Sequence, residues 1–157
     1  MSGLKTISDM TEIAFEWPLM AQSNISGFYL YRSNPNANNQ LNAIAKLEDK
    51  FITHYVDSNL APSTEYIYEL RTYDNQGNIS AEGERISVTT MPLIESVSFI
   101  QALYGLPNKI KVLWRPHPDL RVVSYILEKS ALSSNNWHEV ARINGRLNVE
   151  YIDNDVN

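Results

Sequence analysis

The segment Ile25-Ser26-Gly27-Phe28-Tyr29-Leu30-Tyr31-Arg32-Ser33 decides the fold, because the chain carries a second version of it. At an offset of 97 residues stands Val122-Val123-Ser124-Tyr125-Ile126-Leu127-Glu128-Lys129-Ser130. Ile25 falls on Val122, Phe28 on Tyr125, Leu30 on Leu127, Arg32 on Lys129 and Ser33 on Ser130. Both segments are rich in aromatic and branched apolar residues and read as strands.

The repeat extends on both sides. Trp17 matches Trp114 at the same offset of 97. Beyond the strand the offset becomes 96: Ile44-Ala45-Lys46-Leu47 matches Val140-Ala141-Arg142-Ile143, and Tyr55-Val56-Asp57 matches Tyr151-Ile152-Asp153. One residue has been gained or lost in the intervening loop, where such changes are tolerated. A unit this long is a domain, not a solenoid repeat.

Within the first unit, Glu12 to Trp17 alternates polar with apolar, so Ile13, Phe15 and Trp17 share one face. Short strands are also expected at Leu4–Ile7, Gly27–Arg32, Ile44–Leu47, Thr53–Val56, Tyr66–Tyr73 and Ile86–Thr89. Turn residues separate them at Ser33-Asn34-Pro35-Asn36, Leu60-Ala61-Pro62-Ser63 and Asp74-Asn75-Gln76-Gly77-Asn78. Seven short strands with no sustained helical period predict an all-β sandwich. In this reading Asp57 and Asp153, at one repeat position, are turn residues capping their own backbone.

These residues resemble a fibronectin type III domain, an immunoglobulin-like β-sandwich. The resemblance rests on Trp17 in strand B, Ile25 to Arg32 in strand C, Tyr55-Val56-Asp57, Leu60-Ala61-Pro62-Ser63-Thr64-Glu65-Tyr66, Asp74 to Ser80, and Val88-Thr89-Thr90. It implies that Trp17 fills the space between two sheets. It also implies that the Tyr66 hydroxyl bonds back to upstream backbone as a tyrosine corner, and that Gly77 supplies the permissive backbone of the F–G turn. The expected organisation is tandem: a type III domain over residues 1–91 and a second over 92–157.

The second unit has candidate strands A (Ser96–Ala102), B (Lys109–Trp114), C (Val122–Lys129), C′ (within Trp137–Ile143) and E (from Tyr151). On the repeat alignment Asn157 reaches only the position of Ala61, so strands F and G are absent and the sandwich is truncated. An uncovered strand C is a pairing template. The expectation is a fragment of a longer protein, with the second domain unstable, rearranged or completed by another chain, as in a strand-exchanged homodimer.

The 157 residues are 43% hydrophobic and 20% charged, an ordinary globular composition. Absence of Cys excludes disulfides and thiolate chemistry. Net charge is −5, all of it in residues 1–91 (6 Lys+Arg against 11 Asp+Glu), while 92–157 balance 7 against 7. No basic stripe invites nucleic acid. No apolar run approaches the roughly 18 residues of a membrane span, and Met1-Ser2-Gly3-Leu4-Lys5 lacks the apolar run of a signal peptide.

Chemistry-bearing motifs are sparse. His54, His117 and His138 show no metal-ligand spacing. There is no nucleophile elbow and no phosphate loop. Asn24-Ile25-Ser26 and Asn78-Ile79-Ser80 match a glycosylation pattern, as three-residue chance readily provides. No catalysis, no cofactor, no metal and no small-molecule substrate are expected.

Two surfaces remain as candidate partner sites. The first is Trp114-Arg115-Pro116-His117-Pro118-Asp119-Leu120-Arg121-Val122, in the B–C region of the second unit. Trp114 and Val122 fit core positions. Between them, four ionisable groups sit in a loop stiffened by Pro116 and Pro118, and stiffness lowers the ordering cost of binding. Arg115 and Arg121 are candidate bidentate donors to a partner's carboxylates, Leu120 an apolar anchor, and His117 a cationic contact below about pH 6.5. The nonapeptide resembles the fibronectin-binding stretch of campylobacter-type surface lipoproteins built from tandem type III domains. That family has Phe where Leu120 stands. The resemblance implies a bacterial surface adhesin that binds host fibronectin, held at the outer membrane by a lipid anchor lying outside this sequence. The second surface is a sheet face of the first unit, with Tyr29, Tyr31, Ile67, Arg71 and Tyr73 outward by alternation. Tyr is enriched at binding surfaces, and outward Tyr also stabilises cross-strand pairs. A passive type III spacer, or an accessory domain of a secreted hydrolase, is the alternative to adhesion.

Overall fold

The computed structural model describes residues 3–156. Met1, Ser2 and Asn157, on which the N-terminal reading and the last step of the repeat alignment rest, lie outside them. The chain divides into two compact units between Leu93 and Ile94.

The first unit contains β1 (Lys5–Ser8), β2 (Ile13–Glu16), β3 (Ile25–Asn34), β4 (Gln40–Leu47), β5 (His54–Asp57), β6 (Glu65–Asp74) and β7 (Glu84–Thr89). They form one sheet in the order β1-β2-β5 and a second in the order β4-β3-β6-β7, with every pairing antiparallel. This three-on-four arrangement is a type III, immunoglobulin-like sandwich. The alternation read in residues 12–17 places Ile13, Phe15 and Trp17 inward, at most 2% exposed. They pack with Phe28 and Leu30 of β3 and Tyr66, Tyr68 and Leu70 of β6. Phe15 meets Tyr68 edge-on at 4.6 Å, and Trp17 meets Phe28 at 5.4 Å.

Polar ties join the strands where their geometry demands it. The Tyr66 hydroxyl accepts the Ala61 N–H at 3.0 Å, the expected tyrosine corner. Gly77 has φ 85°, in the left-handed region, and its N–H donates to the Asp74 carbonyl at 3.0 Å. Asp57 corrects the turn reading. Its carboxylate accepts Arg32 Nη1 at 2.9 Å and the Tyr68 hydroxyl at 2.8 Å, so it ties β5 to β3 and β6. Burial, together with that hydrogen bond to Asp57, pushes the Tyr68 phenol far above its ordinary value.

The second unit contains β8 (Ile100–Leu106), β9 (Lys109–Trp114), β10 (Ser124–Lys129), β11 (His138–Asn144) and β12 (Glu150–Asp153). One sheet runs β12-β9-β8, the counterpart of β5-β2-β1; the other holds only β10 and β11. Strand A lies later than expected. Leu106 pairs with Lys109 across Pro107 and Asn108, and Asn108 has φ 55°. The Pro-Asn turn therefore makes a β8–β9 hairpin and draws the strand toward it. Asp153 keeps the expected cap, accepting the Asp155 N–H at 2.9 Å, and adds an ion pair with Lys129 Nζ at 3.0 Å. Backbone donation and Lys129 together hold its carboxyl below the usual range.

Candidate protein-binding loop of the second unit

The loop between β9 and β10 starts from Trp114. Its indole is 5% exposed and meets the Tyr125 ring edge-on at 5.4 Å. The next residues follow from that anchor. Arg115 turns outward and its guanidinium lies 5.1 Å from the centre of the Phe99 ring, a cation–π contact. Pro116 and Pro118 are exposed on either side of His117.

His117 is buried, at 9% exposed, which corrects its reading as a cationic partner contact. Its Nδ1 accepts the Asp119 N–H at 3.0 Å and its Nε2 lies 2.8 Å from the Glu95 carbonyl. An Nδ1 that accepts places a proton on Nε2, the tautomer that satisfies both partners. A partner molecule has no nitrogen of this ring left to meet.

The backbone of His117 is held as firmly. Its N–H donates to the Tyr125 hydroxyl at 2.8 Å, that hydroxyl donates to the Arg146 carbonyl at 2.6 Å, and Arg146 Nη1 donates to the His117 carbonyl at 2.8 Å. This closed polar ring joins the β9–β10 loop to the loop before β12. Sequence reading missed Tyr125, Arg146 and Glu95 as its supports. The trace was present in the repeat: Tyr125 stands where the first unit has Phe28, and His117 where it has Met20. A hydroxyl and an imidazole added together, at positions that are apolar in the sister unit, mark a polar network.

Asp119 and Arg121 also differ from expectation. Arg121 Nη2 donates to Asp119 Oδ2 at 2.7 Å, and its Nε reaches both carboxylate oxygens at 3.1 Å. The fork expected to meet a partner's carboxylate is occupied within the loop. The Arg121 side chain and its N–H hold the Asp119 carboxyl down at about 2. Val122 is half-buried and donates its N–H to the Asp119 carbonyl at 3.2 Å. The large apolar side chains left outward are Leu120, 80% exposed, and Val123 at 75%.

The sheet face of the first unit keeps most of its expected members. Tyr29 and Tyr31 are half-buried with rings 6.4 Å apart, and Arg71 lies 5.1 Å over Tyr31. Ile67 is half-buried too. Tyr73 is the correction: it stands opposite Gly27 on that face but is buried. Gly27 has no side chain, and a Cβ there would come within 2.7 Å of Tyr73 Oη, so the Tyr73 ring lies down across it. Lys46, 5.4 Å from the ring centre, covers it further. Among the described residues no three His, Asp or Glu side chains form a metal-holding cluster, and no helix is long and apolar enough to cross a membrane.

No family model matches the chain, and no curated protein matches it either. Solved structures do. A two-domain fibronectin type III segment of chicken tenascin matches over 98% of this chain and 82% of its own length, at 16% identity and a TM-score of 0.46. The type III domain of human fibronectin type III domain containing protein 3 matches over 62% of this chain and 93% of its own, at 20% identity and 0.47. A β-1,2-glucanase from Parabacteroides distasonis matches over 57% of this chain at 20% identity and 0.47; the chain spans 12% of that enzyme's length. The class is defined by the strand order itself: an all-β chain with type III, immunoglobulin-like sandwich topology.

Proposed function

We propose that this chain is a non-catalytic adhesion module and that the β9–β10 loop of its second unit is the binding element. The observation that carries the reading is Leu120, a large apolar side chain 80% exposed on a loop riveted on both sides. A pre-ordered loop loses little entropy on binding, and an exposed apolar tip supplies buried area to a partner. The resemblance of residues 114–122 names the partner as host fibronectin, and the setting as a bacterial surface lipoprotein. The internal pairing of Asp119 with Arg121 moves the expected energy from charge to Leu120, Val123 and the outward Arg115.

The test is binding of the chain to immobilised fibronectin. Leu120→Ser should weaken it on the order of tenfold, as loss of a hot-spot anchor does. Unchanged binding of that variant, with loss in a Tyr29→Ala, Tyr31→Ala double variant, would move the site to the first unit. The same internal pairing favours a second reading, a passive spacer or accessory domain, since a loop whose charges satisfy one another needs no ligand. That reading expects no fibronectin binding at all.

A further inference from the structure

We propose that Asn144-Gly145 is a site of spontaneous deamidation, and that its isoaspartyl product unlatches the β9–β10 loop. The inference holds whatever that loop binds.

The chain contains a single Asn-Gly step, and it lies at the end of β11. In such a pair the backbone amide attacks the asparagine side chain most readily, because glycine has no Cβ to crowd the approach. Asn144 is exposed, and among the described residues its carboxamide makes no hydrogen bond that would hold it back. The Gly145 nitrogen gives up its proton and bonds to Asn144 Cγ. The Cγ–Nδ2 bond breaks, and that nitrogen takes a proton and leaves as ammonia. Water then opens the cyclic imide at either carbonyl, giving aspartate or isoaspartate. Nothing is oxidised or reduced, and water is the sole co-reactant. One restraint opposes the attack: the Gly145 N–H donates to the Val123 carbonyl at 2.8 Å. That bond must open first, so it sets the pace in the folded chain.

The first unit shows which product the fold accepts. On the repeat alignment Asn144-Gly145 falls on Glu48-Asp49. The frame is the same in space, since the Trp17 and Trp114 N–H groups donate to the Thr53 and Val149 carbonyls, each at 3.0 Å. A carboxylate at position 144 therefore has a precedent in Glu48, which pairs with Lys46 at 3.0 Å. Arg142 stands where Lys46 does. Isoaspartate has no such precedent. It routes the main chain through Cβ and Cγ, inserting one carbon–carbon bond of about 1.5 Å between residues 144 and 145. It also turns the Asn144 carbonyl, which accepts Asn148 Nδ2 at 2.6 Å, into a side-chain carboxylate. Arg146 follows directly. Its carbonyl accepts the Tyr125 hydroxyl at 2.6 Å, and its Nη1 donates to the His117 carbonyl at 2.8 Å. Hydrogen bonds of that length do not survive a displacement as large as a carbon–carbon bond. The polar ring that holds His117 thus opens at Arg146.

The experiment ages the whole chain in mildly alkaline buffer and maps residue 144 by mass spectrometry, with fragmentation that separates isoaspartate from aspartate. Both products are expected, at a rate that rises with pH. Asn144→Gln should block them. A free peptide of residues 140–149 should convert faster than the folded chain, because its Gly145 amide has no Val123 carbonyl to leave. In the purified isoaspartyl chain the His117 amide should exchange its hydrogen about threefold to tenfold faster than in the unaged chain, the worth of one net hydrogen bond. Asn144→Asp should exchange there at the unaged rate. Asn144 left intact in the folded chain, or an isoaspartyl chain with unchanged exchange at His117, overturns the proposal. So does equally fast exchange in Asn144→Asp, because charge rather than the inserted bond then opens the ring.

Discussion

Trp17 and Trp114 sit in nearly the same local geometry and in very different surroundings. Each meets the aromatic residue of the following strand edge-on at 5.4 Å, at interplanar angles of 63° and 68°. Each is buried with its indole N–H unpartnered among the described residues. Around Trp17 the core includes side chains from both sheets. Around Trp114, the inward residues Tyr125 and Leu127 are only half-buried. Aromatic contact between strands B and C therefore forms locally, whereas a closed core requires the strands contributed in the first unit by β6 and β7. The second unit also places polar bonds where the first is apolar: Tyr125, His117 and Arg146 hold a loop region whose sister residues are Phe28 and Met20.

The harshest way to break this comparison is Trp17→Ala. Removing a fully buried aromatic costs about 3–5 kcal/mol, a large share of the 5–15 or so that holds a typical domain. The first unit should unfold or melt far lower, and Trp114→Ala should shift the second unit's melting less, because its neighbours already meet solvent. Equal shifts in calorimetry would show the two cores to be alike.

Next in size is Glu69, 3% exposed on β6. Burial pushes its carboxyl up, but hydrogen bonds from Arg71, Arg85 and the Gly83 amide outweigh it and hold the group below its ordinary value. A depressed folded value means stability present above the unfolded pKa and lost as pH falls through the folded one. The first unit should weaken progressively below about pH 4.5, the unperturbed value. Glu69→Gln should cost about 1.5–3 kcal/mol at neutral pH, the worth of hydrogen bonds to a charged group, and should flatten that acid limb in thermal melts. In the second unit the Asp119 carboxyl should stay ionised to about pH 2 by NMR titration, so the loop keeps its clasp down to that pH.

Tyr125→Phe restores the residue type of the first unit at a position where the hydroxyl now makes two bonds. The expected loss is about 1 kcal/mol in the second unit, with faster hydrogen exchange at the His117 amide. An unchanged exchange rate there would show that the Tyr125 hydroxyl does not hold the loop. The smallest stability effect belongs to Leu120→Ser, within about ±0.5 kcal/mol for an exposed position, so any loss of binding it shows reports contact rather than folding.

Much of the fold was legible because sandwich strands announce themselves by alternation, and because a repeat permits one copy to be read against the other. The tyrosine corner at Tyr66 and the turn at Gly77 were legible for the same reason: each is a local backbone requirement met by one residue. Strand A of the second unit was not, since Ile100–Leu106 is exposed throughout and carries no alternation of burial. Tyr73 was placed on the right face, but its burial hung on a glycine opposite in another strand. The binding loop was legible as a rigid, charged stretch, while the pairing of its charges was not.

The sequence by itself determined which residues lie on which face of each strand, because a period of two is a property of the extended backbone. It determined the duplication and the positions of Trp17 and Trp114. Tertiary structure alone decided the partners of the polar groups. Asp57 became an inter-sheet ion pair, His117 a buried ring met at both nitrogens and Arg121 an internal clasp, since each outcome depends on atoms brought close from distant strands or by a loop's own turn. Charge and hydrogen-bonding capacity are written in the residue type; what satisfies them is set only when the chain has closed around them.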